Sequence, residues 1–139
     1  MQDVPRPAGE ARRDGGALAA ISTEMVRLYK QQFGRGPTRT RTEWAGPDAI
    51  MVMLEQTLTP AEANLVALGE HQRLRDVRLF FQYASVPDMC EPVERHLGRK
   101  VRAFISGIDT LAEGACTEVF LLHPVGYDGP SRADTPRAA

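Results

Sequence analysis

Apolar residues early in the chain recur at helical spacing. Leu18, Ile21, Met25, Leu28, Tyr29 and Phe33 fall on one stripe, while Glu24, Arg27, Lys30 and Gln31 fall off it. The pattern predicts a helix from about Ala17 to Phe33, stopped by Gly34, which can take the left-handed position that ends a helix. The period then changes to two. Thr38, Thr40, Thr42 and Trp44 alternate with Arg39, Arg41 and Glu43, which predicts a strand with β-branched residues on one face. Gly46-Pro47-Asp48 marks a turn, and Ala49–Leu54 is apolar at every position, as a strand covered on both faces would be. The two strands read as a hairpin.

Thr59-Pro60-Ala61-Glu62 is a helix start: Thr59 caps, Pro60 takes the first helical position and Glu62 reaches back to the cap amide. A helical pattern weakened at Gly69 continues to about Ala84, with Leu65, Leu68, Val77, Phe80, Phe81 and Ala84 as its core candidates. Pro87 and Pro92 are expected to interrupt it. A short helix restarting at Asp88, with Met89, Val93 and Leu97 inward, would end at Gly98. Lys100–Ser106 and Cys116–Leu122 supply two more strands, joined through Gly107–Gly114, and Pro124 closes the domain. The expected fold is an α+β two-layer sandwich of order α-β-β-α-(α)-β-β, a four-stranded sheet with helices on one face. Strand order stays open at this level. Residues 1–16 and 125–139, rich in Gly and Pro and poor in large apolar residues, read as disordered tails around a single domain over 17–124.

Composition narrows the function classes. The 139 residues are 42% hydrophobic and 25% charged, with a net charge of -1, as in ordinary soluble domains. Global charge gives no case for nucleic acid or a membrane surface, leaving only local clusters to make one. No apolar run approaches the roughly 18 residues needed to span a bilayer, and residues 1–16 lack the apolar centre of a secretory signal. Two cysteines, Cys90 and Cys116, are too few for a disulfide framework and read as reduced thiols of a cytoplasmic protein.

Three stretches carry a family resemblance: Ile21–Thr42 (ISTEMVRLYKQQFGRGPTRTRT), Val52–Glu62 (VMLEQTLTPAE) and Gly98–Ser106 (GRKVRAFIS). In this order and spacing the chain resembles the MpsC family, named for one component of a sodium-translocating, membrane-potential-generating system and otherwise described as a domain of unknown function. The resemblance covers roughly residues 18–123. It implies a small bacterial cytoplasmic domain that accompanies membrane proteins linked to ion and inorganic-carbon uptake. It brings no catalytic residue set with it. Members tend to carry an unbroken helix ahead of the Gly98 segment, and Pro87 and Pro92 depart from that pattern.

Candidate chemistry centres on the turn Gly34-Arg35-Gly36 and the strand after it. Backbone amides of a glycine turn can face an anion, and Arg35, Arg39 and Arg41 could hold phosphate or carboxylate in forked hydrogen bonds. Gly34, Arg35, Gly36, Arg39 and Arg41 are therefore the candidate anion site. The competing reading is a structural turn with surface ion pairs to Glu43 or Glu55. The Gly-x-Gly follows a helix instead of a strand, which excludes a dinucleotide loop. A second basic cluster, Arg99, Lys100 and Arg102, lacks a set of stacking aromatics, so nucleic acid is disfavoured. His71, His96 and His123 lie far apart, the cysteines have no CxxC spacing, and Cys90 sits beside Glu91. No metal site, no cofactor and no activated thiol is expected. Asp109 and Glu113 read as a carboxylate pair or a solvated turn.

The expectation is a binding protein, an accessory or regulatory component with a membrane transport partner. A small-anion or nucleotide sensor is the alternative, and a small enzyme of unknown reaction comes third. A homodimer is expected on the ground that a sheet edge or apolar face would be left to cover.

Overall fold

The computed structural model describes residues 8–135, with side chains from residue 15 onward. Helix α1 spans Ala8–Phe33, and Ile21, Met25 and Tyr29 on its apolar stripe are fully buried. Its first turns lie inside the segment expected to be a tail. Residues 1–7 and 136–139 fall outside the described residues. Strands β1 (Arg39–Trp44) and β2 (Ala49–Glu55) form the expected antiparallel hairpin. Helix α2 (Pro60–Ala67) starts on the complete reciprocal cap, with Thr59 Oγ1 accepting from the Glu62 amide and Glu62 Oε1 accepting from the Thr59 amide.

The single helix expected to Ala84 is two. Gly69 takes a left-handed conformation, and the Gly69 and Glu70 amides turn back to the Val66 and Leu65 carbonyls, which ends α2 before α3 (His71–Ala84) begins. The prolines interrupt less than expected. Helix α4 runs Val86–Leu97, with Pro87 in its first turn, where no amide donor is needed, and Pro92 inside it. Burial of Val86, Met89, Cys90 and Val93 against the sheet outweighs the one backbone bond that Pro92 removes. Strands β3 (Val101–Asp109) and β4 (Ala115–Leu122) complete an antiparallel sheet of order β1-β2-β4-β3.

Helices α1, α3 and α4 pack on one sheet face, which contributes Ile50, Val52, Leu54, Phe104, Phe120 and Leu122 to the core. The other face carries no helix among the described residues. Met51, Met53, Val119 and Leu121 stand there half-buried, and Ile105 is exposed, so β2 is covered on one face instead of both. The segment after Pro124 is also more built than a disordered tail. Ser131 caps a 3-10 turn (Arg132–Asp134) and donates to Glu94 Oε2 at 2.5 Å, Lys100 Nζ donates to the Gly129 carbonyl, and Ala133 packs on the core.

Candidate functional site

The helix-free face has a hollow at one end. Sheet register places Arg41, Met53, Thr117 and Gly107 in one row across all four strands. The next row holds Arg39 opposite Glu55, and Asp109 opposite Ala115. Large side chains at the β1 edge and small ones at Gly107 and Ala115 leave a cavity of about 490 Å³, within the size range of small-ligand sites. Two guanidinium groups stand on its β1 wall. Arg39 Nε lies 3.7 Å from Glu55 Oε2, and Arg41 Nε lies 3.3 Å from Glu43 Oε1, all four side chains more than half exposed. Such pairs contribute about 0–1 kcal/mol each, so both guanidinium groups are held only loosely. Close in the chain to the lining residues Glu55 and Ala115, Gln56 and Glu113 both hold positive φ, unusual for side chains with a Cβ, and Gln56 Nε2 donates to Glu113 Oε2 at 2.8 Å.

A second polar group is buried between the helices and the sheet. Glu118 projects from β4 on the core face with no exposed surface. Its Oε1 accepts from Tyr29 Oη (2.6 Å) and from Gln82 Nε2 (2.9 Å), and Gln82 Nε2 also donates to Tyr29 Oη (2.8 Å). Burial pushes the Glu118 carboxyl up to about 7, against the hydrogen bonds that favour its ionised form. Burial and the neighbouring Glu118 raise the Tyr29 phenol. One turn earlier on α3, the fully buried Arg78 donates to both Glu62 oxygens (2.6 and 2.7 Å) and to the Thr57 carbonyl, and its guanidinium stacks 4.0 Å from the Phe33 ring. Burial acts against the charge of Glu62, but its bonds from Arg78 and the Thr59 amide prevail and hold its pKa below the ordinary value. Thr57 Oγ1 closes the chain of contacts, donating to the Gly114 carbonyl and lying 3.4 Å from Cys116 Sγ.

The sequence candidates divide. Arg39 and Arg41 reach the cavity. Arg35 does not line it; its Nη1 donates to the Leu58 carbonyl at 2.7 Å and ties the turn to the segment before α2. Gly34, at φ 77°, ends α1, and Gly36 lies so close to α1 that an added Cβ would sit 2.9 Å from Lys30 Cε. Both glycines have backbone and packing reasons for their identity. The second basic cluster is largely committed to structure. Arg99 binds the His123 and Pro47 carbonyls and Asp48, and Lys100 binds the Gly129 carbonyl, while Arg102 is exposed. Asp109 and Glu113 do not pair: Asp109 Oδ1 accepts the Leu111 and Ala112 amides, and Glu113 accepts from Gln56. Both cysteines are buried and form no disulfide; burial drives Cys90 up to about 12 and raises Cys116 too, opposite to an activated thiol. Among the described residues no cluster of His, Cys, Asp or Glu is placed to hold a metal.

Sequence reasoning missed Arg78, Gln82 and Glu118. Glu118 carried a signal, because it shares strand parity with Cys116, Phe120 and Leu122, all buried. On α3 the expected core face was wrong. Leu74, Arg78 and Gln82 are buried, whereas Val77, Phe80 and Phe81 are 46%, 61% and 42% exposed, and Leu68 on the preceding turn is 76% exposed.

The family model described as "Na+-translocating membrane potential-generating system (MpsC)" matches residues 14–123. The chain belongs to the MpsC family. The described strands and α-helices of this MpsC-family chain lie wholly or mostly within the match, including both walls of the cavity and the buried network. No curated protein and no solved structure matches the chain. Among the described residues no helix is long and apolar enough to cross a membrane.

Proposed function

We propose that this MpsC-family chain is a non-catalytic accessory or regulatory protein that docks on a membrane protein of an ion or inorganic-carbon uptake system. The family match carries the reading. Two structural features support it. The ionisable groups of the interior are engaged with one another in the Glu118 and Arg78 networks. The outer flank of α3 offers Val77, Phe80 and Phe81, and Leu68 at the end of α2 is exposed too, apolar surface of the kind that marks protein contacts. The test is capture of the tagged chain with its partner from detergent-solubilised membranes of the native host. One integral membrane protein should be recovered with the parent chain and with Arg41→Gln, and lost with Phe80→Asp at unchanged melting temperature. Recovery of no membrane protein, together with normal sodium and bicarbonate physiology in a deletion strain, would overturn the proposal.

A second reading has its own observation. Arg39 and Arg41 share one cavity wall, which favours a sensor of a small anion or nucleotide. Ligand binding to the native state raises the melting temperature by mass action. Bicarbonate, inorganic phosphate and nucleotides are the first probes, with Arg39→Gln and Arg41→Gln as controls.

A further inference from the structure

We infer that the cavity on the helix-free sheet face takes an organic monoanion, a monocarboxylate whose charged end meets Arg39 and Arg41 and whose apolar body lies across β2 and β4 toward β3. The inference rests on the anion reading of this site and adds the class of ligand. Its first support is polarity along the cavity. Both guanidinium groups stand on β1, and from there the surface is Met53, Thr117, Ala115 and Gly107, without another cation among the described residues. Arg41 Nη2 lies 3.9 Å from Met53 Sδ, which places the positive head directly over the start of the apolar floor.

The second support is length. Three strand spacings separate β1 from β3, about 14 Å, far more than bicarbonate or phosphate fills. An ion of that size would use the β1 wall and leave the floor empty. The third is charge at the other boundaries. Glu55 beside Arg39 and Asp109 on β3 are acidic. Asp109 opposes a second negative charge at the far end of the ligand, which disfavours dicarboxylates and favours a single charged head. The exposed pairs of Arg39 with Glu55 and Arg41 with Glu43 are loose enough to be exchanged for a forked bond to the ligand.

The floor itself supplies the decisive variant. A Cβ added at Gly107 has Thr117 Cγ2 as its nearest neighbour at 3.9 Å, an ordinary contact. Gly107→Leu therefore fills the cavity without a clash at the backbone, and Ala115→Leu is a second way of filling it. The experiment measures binding of octanoate and benzoate, with bicarbonate and inorganic phosphate alongside, by calorimetry and by methyl NMR of Met53 and Ala115. Octanoate should bind more tightly than either inorganic ion and shift both methyl signals. Gly107→Leu and Arg41→Gln should each weaken it by about tenfold or more, while Gly107→Leu leaves any inorganic anion binding unchanged. If the inorganic ions bind and octanoate does no better, or octanoate binding survives Gly107→Leu and Ala115→Leu, the ligand class is wrong and the anion reading stands. If octanoate binds but ignores Arg41→Gln, it sits elsewhere and the inference is overturned. Binding of no anion at all removes the inference and the anion reading together.

Discussion

Glu118 concentrates the chemistry of the interior in one side chain. A carboxylate without exposed surface must either lose its charge or be compensated, and here Tyr29 and Gln82 both bond to the same oxygen, Oε1. Burial is the largest influence and outweighs the bonds from Tyr29, Ser106 and Gln82, so the carboxyl is held up to about 7, above its ordinary 4.5. Below pH 4.5 both the native and the unfolded chain hold the proton. Between 4.5 and about 7 only the native chain does, so stability falls as pH rises across that window. The full loss, reached above pH 7, is about 3 kcal/mol. Glu118→Gln keeps the acceptor oxygen and removes the titration. The variant is expected to unfold at higher urea than the parent at pH 8, with the difference shrinking toward pH 5. A parent-like slope across this range would show that Glu118 ionises freely. Glu62 acts in a separate window. Its lowered pKa stabilises the fold at neutral pH, and that contribution is lost as pH falls below the ordinary carboxylate range.

Among the elements, α3 is the one whose attachment is polar. Leu74 is the large apolar side chain among its buried residues; Arg78 and Gln82 make the rest. Arg78 joins α3 to α2 through Glu62 and to the end of β2 through Thr57, with Phe33 of α1 beneath the guanidinium. Removing one partner of such a buried pair typically costs about 3–5 kcal/mol. Glu62 keeps 14% of its side chain exposed and can regain some water, which puts Arg78→Ala near the lower end. Urea unfolding should register a loss of about 3 kcal/mol, and amide exchange should rise first in α3; a change under 1 kcal/mol would mean that the ion pair behaves as a surface one. The choice of inward face on α3 was illegible from its own residues. Hydrophobicity pointed to Val77, Phe80 and Phe81, but Arg78 and Gln82 find partners at Glu62 and Thr57, and at Tyr29 and Glu118, most of them distant in the chain. In α1, by contrast, the stripe through Ile21, Met25 and Tyr29 was legible because its buried residues are themselves large and mostly apolar, the Tyr29 hydroxyl alone reaching the polar network.

At the scale of the molecule, two layers leave one sheet face without helices among the described residues. The half of that face away from the cavity is apolar, with Met51, Val119 and Ile105 in one row and Leu121 beside Ala103 in the next. We propose that a second copy covers this half in a homodimer. Light scattering should return twice the mass of the chain and fall to the single mass with Ile105→Lys; a monomer at all concentrations for the parent chain would refute the pairing. The candidate anion site shows the same division between local and global information. Arg39 and Arg41 share a strand face by parity, which a sequence displays, whereas Arg35 turns to the Leu58 carbonyl because the segment leading into α2 happens to lie there.

By itself the sequence determined the kind and order of the elements, the helix stop at Gly34, the cap at Thr59 and the family. The family rests on three stretches spread over residues 18–123, while the others are written within a few residues, in a period of 3.6 or two or in a backbone conformation that one residue type tolerates. Only the tertiary structure decided the strand order β1-β2-β4-β3, the polar attachment of α3 and the hollow between Arg41 and Gly107. Those depend on which distant groups meet and satisfy one another's hydrogen bonds and on where small residues line up across strands, relations that no local pattern contains.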